Sequence, residues 1–289
     1  MRKFFILLAV ATVLLSAMAC SSLNLVRPKA SPTPLPAIST LPHRAASPTP
    51  TLAGRIVPPT PTDRPVVPTL SPEQLTACMN ALPADMPGTV KQMATGTSQD
   101  AHPLVACDNF IDNSNGWSIG NWNGSYVQGD ESIKDGVMGW QGVSADGGVW
   151  YDFPESSPSI SDFTLTISAR ILKSPSTTQI GIFYRYDGDN FYMVSVSPSM
   201  YQFYLFDNGQ WQNLTDPKPF PASFNDTSNP GWITLEVKGD THTLYFNNEH
   251  VDSIQDNSLT SGTVGLGLDL DASQDQGGIE FYHFILRGE

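Results

Sequence analysis

Phe163-Thr-Leu-Thr-Ile-Ser-Ala-Arg-Ile171 decides the fold. Phe163, Leu165, Ile167, Ala169 and Ile171 alternate with Thr164, Thr166, Ser168 and Arg170, which is the period of a strand with one buried face. A helix would bring apolar residues back every three or four positions instead. Ile233, Leu235 and Val237 repeat the alternation, as do Val264, Leu266, Leu268 and Leu270. Between such runs lie Asp187-Gly-Asp189, Asp207-Asn-Gly209, Lys238-Gly-Asp240 and Asn247-Asn248, all suited to hairpin turns. About ten to twelve strands with no amphipathic helix between them predict an all-β antiparallel sandwich.

One hairpin can be registered from the sequence. If residues 187–189 form its loop, Tyr184 pairs with Tyr192, Ile182 with Val194 and Ile180 with Val196, giving one apolar face. The opposite face then carries Phe183, Arg185, Phe191 and Met193, and the aliphatic face is the better core. Arg185 is expected on the outer or concave surface, where a guanidinium can stack on rings and form paired hydrogen bonds.

The other end of the chain is different in kind. Thirteen of the 24 prolines fall between Pro28 and Pro72, and residues 21–71 form a Pro/Ser/Thr-rich stretch with almost no aromatic content. It cannot bury enough apolar surface to offset the entropy of folding and is expected to be a disordered linker. The 51 residues could reach ~150 Å if straight, as a stalk that holds the domain away from its attachment point. Ser71-Pro-Glu-Gln74 is a capping box with proline at the first helical position, so a short helix is expected over about 72–82.

At the extreme N-terminus, Arg2 and Lys3 precede an apolar run from Phe4 to Leu15, too short for a permanent membrane span. Leu15-Ser-Ala-Met-Ala-Cys20 resembles the lipobox of bacterial lipoproteins, which implies lipidation of Cys20, a signal peptide over 1–20 and anchoring at a membrane of the cell envelope. The position three before the cysteine is Ala17, where lipoproteins usually carry leucine. The alternative is an ordinary secretory signal cleaved near Ala19. With Cys20 so used, Cys78 and Cys107 remain as a pair, and outside the cytoplasm a disulfide is expected of them. It would clip a helical preamble (72–106) to the β domain (107–289); two free thiols are the other possibility.

Formal charge is −13; setting aside the +4 of residues 21–71 and the +2 of Arg2 and Lys3 leaves −19 for residues 72–289. Such a domain repels phosphates, so neither nucleic acid nor an anionic lipid surface is an expected partner. A monomer is expected. No Glu-x-Asp-x-Glu segment is present; Glu236 and Glu280 have no acidic neighbour two residues away, and Asp240, four after Glu236, sits across the Lys238-Gly-Asp240 turn. Asp269 and Asp271 share a strand face and Asp275 follows. A solvated loop is one reading, and a structural calcium site the functional alternative, because calcium takes hard oxygen ligands. The scattered histidines have no nucleophile elbow nearby. Of the six tryptophans, Trp122 and Trp211 sit where exposure is expected, and aromatic faces are what sugars dock on.

The order of Asp108-Asn-Phe110, Gly116-Trp117, Ile180-Gly-Ile-Phe-Tyr-Arg185, Asn190-Phe-Tyr192, Gly209-Gln-Trp211, Gly231-Trp-Ile-Thr-Leu-Glu-Val237, Leu244-Tyr-Phe-Asn-Asn248 and Gly262-Thr-Val-Gly265 resembles the LamG-like domains of the concanavalin A-like lectin and glucanase superfamily. Within it, the 3-keto-disaccharide hydrolase domain is the most similar. The resemblance implies a jelly roll of two stacked antiparallel sheets, one concave, with carbohydrate as the usual ligand class. It rests on core and turn positions, so it speaks for fold rather than chemistry. The expected function is a surface-anchored, non-catalytic glycan-binding module, with Arg185, Tyr192, Trp122 and Trp211 as contacts. A glycoside hydrolase of the keto-disaccharide type and a structural or protein-interaction domain are the alternatives.

Overall fold

The computed structural model describes residues 71–289 except 85, 96–101, 146, 174–176, 222–228 and 272–274. Cys20, the leader and residues 21–70 of the linker lie outside the described residues. In chain order the elements are α1 (Pro72–Asn80), α2 (Gly88–Thr95), β1 (Leu104–Asp108), β2 (Gly120–Asn123), β3 (Val127–Lys134), β4 (Val137–Ser144), β5 (Gly148–Asp152) and β6 (Phe163–Lys173). They continue with β7 (Thr178–Tyr186), β8 (Phe191–Val196), β9 (Met200–Asp207), β10 (Gln210–Asn213), β11 (Lys218–Pro219), β12 (Gly231–Lys238), β13 (Thr241–Phe246), β14 (Glu249–Gln255), β15 (Thr263–Leu270) and β16 (Gln276–Gly288).

Two antiparallel sheets stack as a jelly-roll sandwich. The larger runs β14-β13-β12-β6-β16-β4-β3-β2, with β1 on the far end of β16; the smaller runs β10-β9-β8-β7-β15-β5, with β11 on β9. The deciding stretch is β6, near the middle of the larger sheet between β12 and β16. Its alternation does what the sequence requires: Phe163, Leu165, Ile167, Ala169 and Ile171 are buried in the one large core. Across from them Ile180, Ile182, Val194, Val196, Leu266 and Leu268 of the smaller sheet join the same core. Fully burying each such side chain contributes ~1.5–3 kcal/mol.

All four hairpin turns form where the turn chemistry puts them, and the register Tyr184↔Tyr192, Ile182↔Val194, Ile180↔Val196 is the observed one. The sixteen described strands outnumber the expected ten to twelve because β2, β10 and β11 have four residues or fewer, too short for periodicity to show. Helix α1 carries the capping box, Ser71 accepting from the Gln74 amide and Gln74 from the Ser71 amide. The second helix, α2, was not expected from the sequence.

Cys78 of α1 and Cys107 of β1 are disulfide-bonded across 29 positions. Around the bridge, Met86, Val90 and Ala94 pack with Trp232 and Ile285 in a small separate core, so the preamble is docked on the larger sheet. One open side of the sandwich, between β2–β4 and β5, is closed by a tryptophan stack. Trp122 lies 4.5 Å from Trp150 at 6°, and Trp150 4.8 Å from Trp140 at 28°.

Candidate functional site

The outer face of the smaller sheet collects an unusual share of the aromatic residues. Strand alternation aims Phe183 of β7, Phe191 and Met193 of β8, and Tyr204 and Phe206 of β9 away from the main core, where they form a cluster of their own with Phe153 and Tyr186. The floor beneath is glycine. A Cβ on Gly267 would come within 2.3 Å of the Phe183 ring and one on Gly181 within 2.6 Å, so only glycine lets that ring lie flat on the sheet. From opposite edges, two half-buried rings lean over the cluster. Tyr151 of β5 stands 4.8 Å from Phe183, and Trp211 of β10 stands 5.5 Å from Phe191 and 5.1 Å from Phe206.

Farther along the same strands the face turns polar. Gln179 precedes Gly181 and Phe183 on β7, Ser195 stands opposite Gly181 on β8, and Asp269 opposite Gln179 on β15. Ser195 donates its hydroxyl to Gln179 Oε1 at 2.5 Å and also reaches Asp269 Oδ2 at 3.1 Å. Gln179 Nε2 in turn donates to Asp271 Oδ2 at 2.5 Å. On β9, Tyr204 donates to Gln202 Oε1 at 2.6 Å, and Gln202 donates to the Thr215 carbonyl. Most of these groups are themselves buried: Phe183, Phe191 and Ser195 are 0% exposed and Asp269 5%, so what the face offers a ligand is the half-buried Tyr151 and Trp211 rings and the exposed Asp271.

Of the four expected ligand contacts, only Trp211 lies on this face. Arg185 does not point outward with Phe183. Its backbone adopts φ 49°, and the β7–β15 register shifts between Thr263 and Gly265, which breaks the alternation at that position. Its side chain is only 2% exposed and donates to three backbone carbonyls: Ser161, Leu259 and Gly239. Charge-assisted hydrogen bonds contribute ~1.5–3 kcal/mol each, enough to offset the ~1–2 kcal/mol of a left-handed backbone. Arg185 is therefore a clamp that ties three loops together. Tyr192 is buried on the inner face, stacked 5.1 Å from Tyr184. Its hydroxyl donates to Asp256 at 2.5 Å and accepts from the Leu259 amide at 3.0 Å. Burial, then the Asp256 hydrogen bond, pushes its pKa up to about 12. Trp122 is the outermost ring of the stack that closes the sandwich, half-buried against the main core.

The three aspartates separate. Asp269 is buried on β15 rather than in a solvated loop, whereas Asp271 is exposed just past the strand's end and accepts from Gln179. Asp275 is turned to its own neighbour, accepting from the Gln276 amide at 3.0 Å. Among the described residues no three His, Cys, Asp or Glu side chains come together to hold a metal ion. Several of the remaining acids and histidines have structural partners. Glu280 pairs with Arg170 at 2.6 Å, and Glu236 accepts from Tyr245. His242 packs against Tyr184 and Tyr192, its pKa lowered to about 4 by burial and then by the charge of Arg185.

One ionisable group escaped the sequence reading. Glu131 of β3 is 1% exposed inside the sandwich, directly opposite Trp140 of β4. Its carboxyl oxygens and the Trp140 indole nitrogen make no well-formed hydrogen bond, although the indole N–H lies near enough to offset part of the burial cost. Burial, reinforced by the charge of Asp152, pushes its pKa up to about 10, so the group is a neutral acid at pH 7. The signal was present, because Val127 and Ile133 put Glu131 on the apolar register of its strand.

No protein-family model matches the chain, and no curated protein does. Solved structures are similar in architecture. The carbohydrate-binding module CBM66 from Bacillus subtilis is 21% identical, with TM-score 0.44 over 60% of this chain and 96% of that one. A protein of unknown function with a galectin-like fold, also from Bacillus subtilis, is 11% identical, with TM-score 0.48 over 65% and 97%. A Glu-to-Ser variant of LamA from Zobellia galactanivorans, in complex with laminaritriose and laminaritetraose, is 10% identical, with TM-score 0.47 over 65% and 99%. At these values the likeness assigns no residue a role.

Proposed function

We propose that the chain is a non-catalytic binding module, held at the cell envelope by lipid on Cys20, and that the outer face of its smaller sheet takes a glycan. One observation carries the reading: Tyr151 and Trp211, both half-buried, stand at the two edges of a buried aromatic cluster that continues along the same strands into the Gln179, Ser195 and Asp269 row. A sugar unit stacked on Tyr151 or Trp211, the accessible rings, would lie on the same face as the exposed Asp271, whose carboxylate accepts hydrogen bonds. Glycan arrays and pull-downs with envelope polysaccharides test it. Retention of the chain by at least one glycan, lost in Trp211→Ala, is expected; no retention by any of them refutes it.

A glycoside hydrolase is the second reading, favoured by the two carboxylates, Asp269 and Asp271, that meet in the Gln179–Ser195 network. Release of reducing sugar from the retained glycan, abolished by Asp269→Asn, would replace the binding reading with this one.

A further inference from the structure

The opposite sheet carries a second feature that the aromatic face does not involve. On the outer face of the larger sheet, β2, β3, β4 and β16 enclose a depression of about 260 Å³. Its polar wall is two cross-strand rows. Asn121 of β2 stands opposite Asp130 of β3, and Asp130 opposite Gln141 of β4. In the neighbouring row Gln128 stands opposite Val143, and Val143 opposite Gln276 of β16. Gly278, opposite Gln141, leaves the first row open on that side. Val143 is 42% exposed between its two glutamines, the one apolar spot in the wall.

We propose that this groove is a second binding site, and that it takes a neutral sugar. Each amide presents a donor and an acceptor at once, which is the pattern a row of hydroxyl groups answers. Asp130 and the strong negative charge of the chain disfavour an anion, whether phosphate, sulfate or uronate. A wholly apolar ligand would strip water from four amides without returning a hydrogen bond. The volume lies just under the ~300 Å³ of the smallest drug-sized sites, which suits one or two sugar units. Neighbouring strands are ~4.8 Å apart, so a polymer running across them meets a fresh amide or carboxylate at each strand. With the aromatic face on the other sheet, the module would hold two glycan segments on opposite sides and gain avidity on a multivalent surface.

Side-chain amide resonances read this directly. The full chain, labelled with ¹⁵N, is titrated with linear neutral hexasaccharides of β-linked glucose, galactose and mannose, and with polygalacturonate as the anionic control. At least one neutral probe should shift the Asn121, Gln128, Gln141 and Gln276 amide signals saturably. The shifts should persist in Trp211→Ala and vanish from Asn121 and Gln276 in Gln128→Ala/Gln141→Ala, whose exposed positions leave the fold intact. No saturable shift with any neutral probe overturns the proposal. So do equal shifts with polygalacturonate.

Discussion

Replacing Glu131 with glutamine should change how stability depends on pH, and the size of the change follows from its surroundings. In the folded chain the carboxyl is buried without a well-formed hydrogen bond and its pKa stands at about 10, against an ordinary value of 4.5. A folded-state pKa above the unfolded one means that the folded chain holds the proton more tightly. Its contribution is therefore fully present below pH 4.5 and is lost as pH rises toward about 10. Each pH unit inside that window removes ~1.4 kcal/mol. Between pH 5.5 and pH 8 the wild type should thus lose roughly 3 kcal/mol through this one group. Glutamine keeps the shape and has no proton to lose.

The assay is urea unfolding of wild type and Glu131→Gln at pH 5.5 and pH 8, reading the difference between the proteins at each pH so that all other titrating groups cancel. The variant should gain roughly 3 kcal/mol on the wild type between the two conditions. Its absolute stability at either pH also contains the cost of burying an amide, so only the change with pH is diagnostic. Asp152→Asn should shrink the effect, because the Asp152 charge helps to hold the pKa up. An unchanged difference between pH 5.5 and pH 8 would show that Glu131 reaches water, and would refute the reasoning.

Arg185→Lys should lower stability by roughly 3–5 kcal/mol in urea unfolding, since one ammonium cannot serve three carbonyls from three loops, and Arg185→Met should cost at least as much. Removing the Cys78–Cys107 bridge by serine substitution opens a closure of 29 positions and should cost roughly 3–4 kcal/mol. Hydrogen exchange should then locate the loss in α1 and α2 while β6 and β12 stay protected. Cys20→Ser should free the protein from the membrane fraction or leave it unprocessed; an anchored, processed mutant contradicts the lipid anchor. Trp211→Ala should abolish glycan retention with little change in melting temperature, because that ring is only half-buried at a sheet edge.

Much of the fold could be read from residue order. Phe163 to Ile171 declares its buried face, and the Asp187-Gly-Asp189 turn fixes a register that carries Tyr184, Ile182 and Ile180 into the core. The candidate site was half legible. Alternation separates Phe183, Phe191 and Met193 from the core, yet it assumes an unbroken strand. At Arg185 the backbone turns left-handed and the register slips, so the side chain leaves the face on which periodicity places it. Helix α2 went unseen because it is only eight residues long, opens on Gly88 and lacks a capping box like the one that marks α1. The Gln179–Ser195–Asp269 row joins residues up to 90 positions apart, and only strand order brings them together.

The most direct measurement passes wild type and Trp211→Ala side by side over one immobilised envelope polysaccharide, with the flow-through analysed for released sugar. The account predicts that the wild type is held, that the variant runs through, and that no new reducing ends appear. Equal retention of both proteins, or soluble sugar released by the wild type, would contradict it.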